Sequence, residues 1–308
     1  MPFAPRLLDD AALRALGIGP DEVVTSIREA VADIAAGRLS VTPKSVLQPG
    51  DGRYMMATLA TGKVTVLKQV TVCPDNPGRG LPSITGAIMV LDAQTGECLA
   101  VMDAEWVTAV RTAGLSAVAA RELANPQSES IGFVGCGVQA RSHLDLFAGL
   151  FPLKRIRCYG RGQANIDSLC AMAQDLGLEA EVCETPEALL EQSDIVVSSI
   201  TITYQGAPFL DAGLLRPGAF AAITDAGKPW HRDSLDAFAT VVVDDRAQEL
   251  SMPDPLVTAE RIAGDLTDLV AGSVVAEDGP RAFMFRGIAA GDYALAAHVW
   301  DKVAAGSE

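Results

Sequence analysis

Residues with the type and spacing for chemistry cluster first at Ile131–Phe147, IGFVGCGVQARSHLDLF, where Gly135, Gly137 and Ala140 form a Gly-x-Gly-x-x-Ala pattern. An apolar strand-like run precedes it and an amphipathic helical run follows. That spacing permits a tight turn at Gly135, close approach of backbone amides to a pyrophosphate at Gly137, and close helix–strand packing at Ala140. Val138 and Gln139 then open a helix whose free N–H groups and partial positive charge suit phosphates. A plain strand-to-helix turn also uses glycine. Here the strand before, the helix after and the βα units beyond them point to a dinucleotide, NAD(P)(H).

Other side chains stand out against apolar surroundings. In Lys63–Val72, KVTVLKQVTV, strand alternation puts Val64, Val66, Val70 and Val72 in one row, and Lys68 falls in that row. A cation there is costly unless something anionic meets it. The readings are an edge strand or a stem that snorkels to water, or a cation facing a substrate carboxylate. Arg111 shares a helical face with Val107, Leu115 and Val118, which suits bidentate binding of a carboxylate, or equally a buried structural ion pair. Asp225, just past the apolar run Ala219–Thr224, stands where parallel sheets bind ligands. It is either a turn residue before Gly227 or a general acid–base beside a nicotinamide. The second strand of the dinucleotide unit ends at Tyr159-Gly160-Arg161, with Arg161 and no acid, which favours NADP(H) over NAD(H). Ser199 and Thr201, at and just beyond the end of the run Asp194–Ile200, complete the cofactor-binding candidates.

The elements that must position these residues fall into two parts. Ala11–Gly17 and Asp21–Ala36 read as helices, the second with Val23, Val24, Ile27, Val31 and Ile34 on one stripe. Tyr54–Leu59, Val64–Val72, Ala87–Leu91 and Leu99–Met102 read as strands, and Cys73–Pro82 as a Pro/Gly-rich loop without regular structure. This first part is an antiparallel α+β unit. Asp103 caps a helix from Ala104 to about Leu123, which ends before Asn125-Pro126. Strands Ile131–Val134, Ile156–Tyr159, Glu179–Cys183, Asp194–Ile200, Ala219–Thr224 and Thr240–Val243 then alternate with helices Gln163–Leu176 and Pro186–Gln192. That order predicts an α/β doubly wound parallel sheet. From Leu256–Ala271 onward the chain reads as helical and loop-like, closing with an amphipathic helix Tyr293–Val303. The expected domains are 1–119 with 289–308, and 120–288.

The 308 residues are nearly half hydrophobic and carry a net charge of −15, which argues against nucleic acid or an anionic membrane as partner. Asp9 and Asp10 interrupt the start where a signal peptide needs an apolar core, and no run is long and apolar enough for a bilayer. Six scattered cysteines and three scattered histidines form no metal-ligand pattern, so no metal is expected, and reduced thiols point to the cytoplasm.

Lys68, the CPDN of Cys73–Asn76, VRTAGLSAVAARELA (Val110–Ala124), GCGVQA (Gly135–Ala140), Asp225 and RGIAAGDYALA (Arg286–Ala296) stand in the order found in the ornithine cyclodeaminase/mu-crystallin family, which this chain resembles from about Lys44 to Ala296. The resemblance implies a substrate-binding, dimerising domain of antiparallel strands followed by a Rossmann domain. The terminal helix would return to the first domain, and the two substrate-domain sheets of a homodimer would meet at the subunit interface. It assigns carboxylate binding to Lys68, Arg111 and Lys44, the last in place of the family's usual Arg. It sets Thr112 near the cofactor phosphates and makes Asp225 the catalytic acid. Family members that cyclise ornithine carry a Glu where Tyr54 stands here, a Gly-His where Val72-Cys73 stands, and an Asp at the end of the nucleotide strand. These departures point away from cyclodeaminase activity.

The expected function is NAD(P)H-dependent reduction of a small 2-imino acid to the L-amino acid. Lys68, Arg111 and Lys44 would hold the carboxylate, Tyr54 would line the substrate site, and Asp225 would manage the proton on nitrogen. The substrate would be a cyclic ketimine or an acyclic imine; an imino-dicarboxylate would need Arg53 or Lys44 for its second carboxylate. Ornithine or lysine cyclodeamination with bound NAD⁺, and a nucleotide- and ligand-binding protein in the manner of mu-crystallin, are the alternatives.

Overall fold

The computed structural model describes residues 4–306. The chain divides into two compact units, Met1–Arg111 with Ile288–Glu308, and Thr112–Gly287.

In the first unit β1 (Arg6–Leu8) leads into helices α1 (Asp10–Ala15) and α2 (Pro20–Ala35). Strands β2 (Ser40–Val41), β3 (Ser45–Leu47), β4 (Tyr54–Thr61), β5 (Val64–Val72), β6 (Ile84–Asp92) and β7 (Cys98–Asp103) follow. The sheet order is β1-β7-β6-β5-β4-β2, with β3 also on β4. Its pairings are antiparallel except that β1 lies parallel to β7, an edge too short to show in the sequence. The Cys73–Pro82 segment, expected to be irregular, contains a single 3-10 turn at Pro77–Arg79. Along β5 the alternation holds: Val64, Val66, Lys68 and Val70 are buried on one face. The chain's last helix, α9 by its place in the order and spanning Ala289–Ala305, packs on that face, and α2 packs on the helix in turn. The opposite face carries a cross-strand row of Leu59, Leu67, Met89, Val101 and Leu7. Leu7 is 78% and Leu59 41% exposed.

Helix α3 (Ala104–Leu123) spans the division between the units. Asp103 starts it by accepting the Glu105 N–H at 2.7 Å. Residues 111–120 are all buried, so the helix is enclosed around its whole circumference there rather than along a stripe, with Arg111, Thr112 and Ser116 as its buried polar residues. The expected domain break after residue 119 therefore moves to 111/112, inside the helix. The polar stretch at Asn125–Glu129 marks the helix end, not the boundary.

The second unit comprises β8 (Ser130–Val134), α4 (Val138–Leu150), β9 (Arg155–Tyr159), α5 (Gln163–Asp175), β10 (Glu179–Val182), α6 (Pro186–Gln192) and β11 (Ile195–Ser198). After these come β12 (Phe220–Ile223), β13 (Thr240–Val243), α7 (Arg246–Ser251), β14 (Ile262–Asp265), α8 (Leu266–Val270) and β15 (Arg281–Met284). All eight strands are parallel, in the order β10-β9-β8-β11-β12-β15-β13-β14, the doubly wound Rossmann arrangement. β8, β11, β12 and β13 are buried on both faces, hence their unbroken apolar runs. The region from Leu256 on corrects the sequence reading, which had no strand there. β14 and β15 are four residues each, and β15 inserts between β12 and β13. So short a segment shows no period of its own.

Candidate active site

In the first unit the candidate residues form an ion cluster. β5 lies between β4 and β6, so Lys68 is not on an edge strand, and at 1% exposure it does not snorkel. Its Nζ donates to Asp292 Oδ1 at 2.5 Å. Thr58, directly opposite on β4, donates its hydroxyl to Asp292 Oδ2 at 3.0 Å. Arg111 Nε stands 3.1 Å from Asp292 Oδ1. The buried ion pair weighed for Arg111 is thus realised, and its anion comes from α9. Burial lowers the Lys68 pKa to about 8; Arg111 and Lys44 push it the same way, and Asp292 opposes them. For Asp292, burial acts to raise the pKa, but Lys68 and Arg111 outweigh it and hold the carboxyl below its ordinary value. Lys44 is half-buried in the link between β2 and β3. Tyr54 opens β4 opposite Val72, on the strand face that carries Thr58. Arg53, by contrast, is engaged with Asp51 at 2.7 Å on the surface.

In the second unit the glycine loop follows β8, on one side of the point where the strand order reverses. Gly135 has φ +89°, and a Cβ there would lie 2.9 Å from Ser199 O, so only glycine fits. At Gly137, the N-cap of α4, a Cβ would meet nothing within 4 Å: the space before the helix N-terminus is open. Val138 is exposed, Gln139 half-buried and Ala140 fully buried. This cradle fits a pyrophosphate, with amides rather than side chains facing it. Ser199 donates to Gly135 O at 3.3 Å and so ties β11 to the loop. Thr201 Oγ1 lies 2.9 Å from Thr203 Oγ1, and the Lys228 ammonium donates to the carbonyls of Ile202 and Tyr204. Exposed Arg161 sits past β9 with its guanidinium 5.6 Å from the Tyr204 ring centroid. Thr112 is buried in α3. The same helix is joined to α4 through His143, whose Nδ1 lies 2.7 Å from Gln139 O and whose Nε2 lies 3.0 Å from Ser116 Oγ. Burial lowers the His143 pKa to about 4, leaving a neutral ring.

Asp225 lies two residues past β12 and is 2% exposed. Oδ1 accepts from Ser198 at 3.1 Å and Oδ2 from the Ile200 N–H at 3.2 Å. Trp230 Nε1–H donates in turn to Ser198 Oγ at 2.9 Å. Burial raises the Asp225 pKa to about 7 against the opposing pull of these hydrogen bonds, so the carboxyl exchanges a proton near neutrality. The next residue, Ala226, has φ +56°, a left-handed turn held by a non-glycine residue. A cavity of about 360 Å³ opens alongside, lined by Ala226, Lys228, Trp230, Arg232 and Met252 among others. Among the described residues, no group of His, Cys, Asp and Glu is placed to hold a metal ion.

Asp292, Thr58, Ser198 and Trp230 were not singled out from the sequence. The one available signal was Asp292, an acid isolated among alanines in AAGDYALAA, but the helix was started one residue too late to include it.

Comparison with known proteins agrees with this arrangement. The sequence model of the ornithine cyclodeaminase/mu-crystallin family matches residues 18–307. The ketimine reductase mu-crystallin of Mus musculus is 29% identical over 302 residues, covering 96% of this chain and 91% of its own. Delta(1)-pyrroline-2-carboxylate reductase 1 of Burkholderia multivorans is 30% identical over 309 residues, 96% of each chain. The Thermococcus litoralis Delta(1)-pyrroline-2-carboxylate reductase, solved in complex with NADH and L-proline, superposes with a TM-score of 0.90 at 24% identity, covering 98% of both chains. With a doubly wound sheet bearing its glycine loop, a buried carboxyl past β12 and a cation cluster on a separate mixed sheet, the chain belongs to the ornithine cyclodeaminase/mu-crystallin family.

Proposed function

We propose that this chain is an oxidoreductase acting on C=N bonds, which reduces a small 2-imino acid to the L-amino acid with NAD(P)H. The observation that carries this reading is Asp225, a buried carboxyl that gains and loses a proton near pH 7 at the carboxyl end of a central Rossmann strand. Its relatives are named as ketimine and pyrroline-2-carboxylate reductases, which supports the substrate class.

Gly135, Gly137, Val138, Gln139 and Ala140 hold the pyrophosphate on the α4 N-terminus, with Thr112, Ser199 and Thr201 as further contacts. When bound, the reduced nicotinamide supplies the hydride that reaches the imine carbon. Lys68 and Arg111, aided by Lys44, bind the substrate carboxylate and fix its orientation. Protonated Asp225 delivers the proton to the substrate nitrogen as the carbon is reduced. Tyr54, on the face of β4 that carries Thr58, lines the substrate site. Arg161, steadied over Tyr204, favours the 2′-phosphate of NADP(H). All six cysteines are free, which suits a reducing cytoplasm. The apolar row from Leu59 to Leu7, exposed at both ends and half-buried between them, supports a homodimer formed sheet to sheet.

The test is optical: oxidation of NADPH and of NADH with pyrroline-2-carboxylate, piperideine-2-carboxylate, and pyruvate, glyoxylate or oxaloacetate each supplied with ammonium or methylamine. Turnover with at least one imine is expected. Silence with every imine, together with ammonia release from ornithine and NAD⁺, would replace the reductase by a cyclodeaminase. Silence in both assays would leave a binding protein.

A further inference from the structure

Asp292 is a carboxylate set among cations. Around Lys68 stand Arg111 from α3, Asp292 from α9 and Lys44 from the β2–β3 link, with the Thr58 hydroxyl on β4 and Ile88 on β6 directly opposite. Lys68, Arg111, Asp292 and Thr58 are all buried. Three cations brought this close without an anion would repel one another, and the lysine among them would shed its proton. Asp292 instead accepts from Lys68 and from Thr58 on separate oxygens, and Arg111 Nε lies within 3.1 Å of the first. It also sits in the first turn of α9, where the helix dipole stabilises a negative charge. A carboxyl so placed stays ionised and has no proton to give, so it is not the acid of the reaction.

We propose that Asp292 is the positioning residue of the carboxylate pocket, holding the Lys68 ammonium and the Arg111 guanidinium as a fixed, charged pair for an incoming carboxylate. This rests on the reading of those two cations as the substrate's anchors. Lys68, Arg111 and Asp292 carry one net positive charge and Lys44 adds a second, so the pocket keeps an excess of positive charge for one substrate carboxylate. Such pre-organisation lowers the ordering cost of binding.

The experiment titrates the unreactive probe pyrrole-2-carboxylate into wild type, Asp292→Asn and Asp292→Glu by calorimetry between about pH 6 and about pH 10. Wild-type affinity is expected to fall as pH rises through about 8, where Lys68 loses its proton. In Asp292→Asn the fall moves down by roughly 1–3 pH units. Affinity at pH 8 then drops at least about fivefold, and at pH 6 it changes much less. Asp292→Glu restores the wild-type position. A loss of equal size at every pH, or a fall that does not move, overturns the proposal in favour of a purely structural acid. Should Asp292→Asn alone not fold, Lys68→Arg combined with Asp292→Asn keeps a permanent cation and is expected to bind without an alkaline fall; a fall like that of wild type overturns it. Wild type that binds the probe but reduces no imine removes the reductase reading and leaves Asp292 to be judged by the pH dependence. Wild type that never binds the probe overturns both.

Discussion

At the residue scale, opposite environments tune two acids of one type. Asp225 is buried against neutral donors and its pKa is raised to about 7; Asp292 is buried against cations and its pKa is lowered. On the proposed reading protonated Asp225 donates to the substrate nitrogen, so kcat for reduction is expected to hold below pH 7 and decline above it. Asp225→Asn should remove that pH dependence and lower kcat by roughly 10²–10⁴-fold, read from steady-state rates across pH. Lys68→Met leaves Asp292 with Arg111 and the Thr58 hydroxyl. We expect a stability loss of about 3 kcal/mol in urea unfolding and at least a tenfold rise in KM. Lys68 was legible because strand alternation exposes any polar intruder in an apolar row. Its partner was not, because Asp292 lies 224 residues away and no local pattern links the two.

At the scale of elements, α3 runs over the residues that Asp103 and Asn125-Pro126 mark out, and β5 over those its alternation marks out. Both carry their boundaries in local chemistry. β15 does not: RAFM gains its strand character from β12 and β13 on either side, a tertiary cause. The glycine loop belongs to the legible class, and its two glycines are separable by experiment. Gly135→Ala forces a side chain into a left-handed turn against Ser199 O, and is expected to cost about 1–2 kcal/mol of stability as well as nucleotide affinity. Gly137 has φ −79° and open space around it, so Gly137→Ala should fold normally and lose affinity alone, measured by nucleotide titration beside thermal unfolding. Arg161→Ala, past the end of β9, should raise KM for NADPH at least about tenfold and leave NADH little changed, since an arginine–phosphate contact is charge-assisted.

At the scale of the whole molecule, the sheet of the first unit carries an apolar row whose ends, Leu59 and Leu7, are exposed and whose centre, Leu67, Met89 and Val101, is half-buried. If the proposed sheet-to-sheet dimer forms, Leu67→Asp, within that row, is expected to yield a folded monomer in sedimentation where wild type is a dimer. The doubly wound sheet was legible as a class from the succession of strand and helix patterns, whereas the discontinuity of the first unit came only through family resemblance. That discontinuity has a consequence for synthesis. The second sheet lacks a middle strand until residue 284 has been made, and the Lys68–Arg111 pair lacks its anion until residue 292. A ribosome releasing this chain from its amino end therefore holds two incomplete cores until residues 281–292 have emerged. Folding of both is deferred to that point, and chaperones that shield apolar strands have the whole of that interval in which to act.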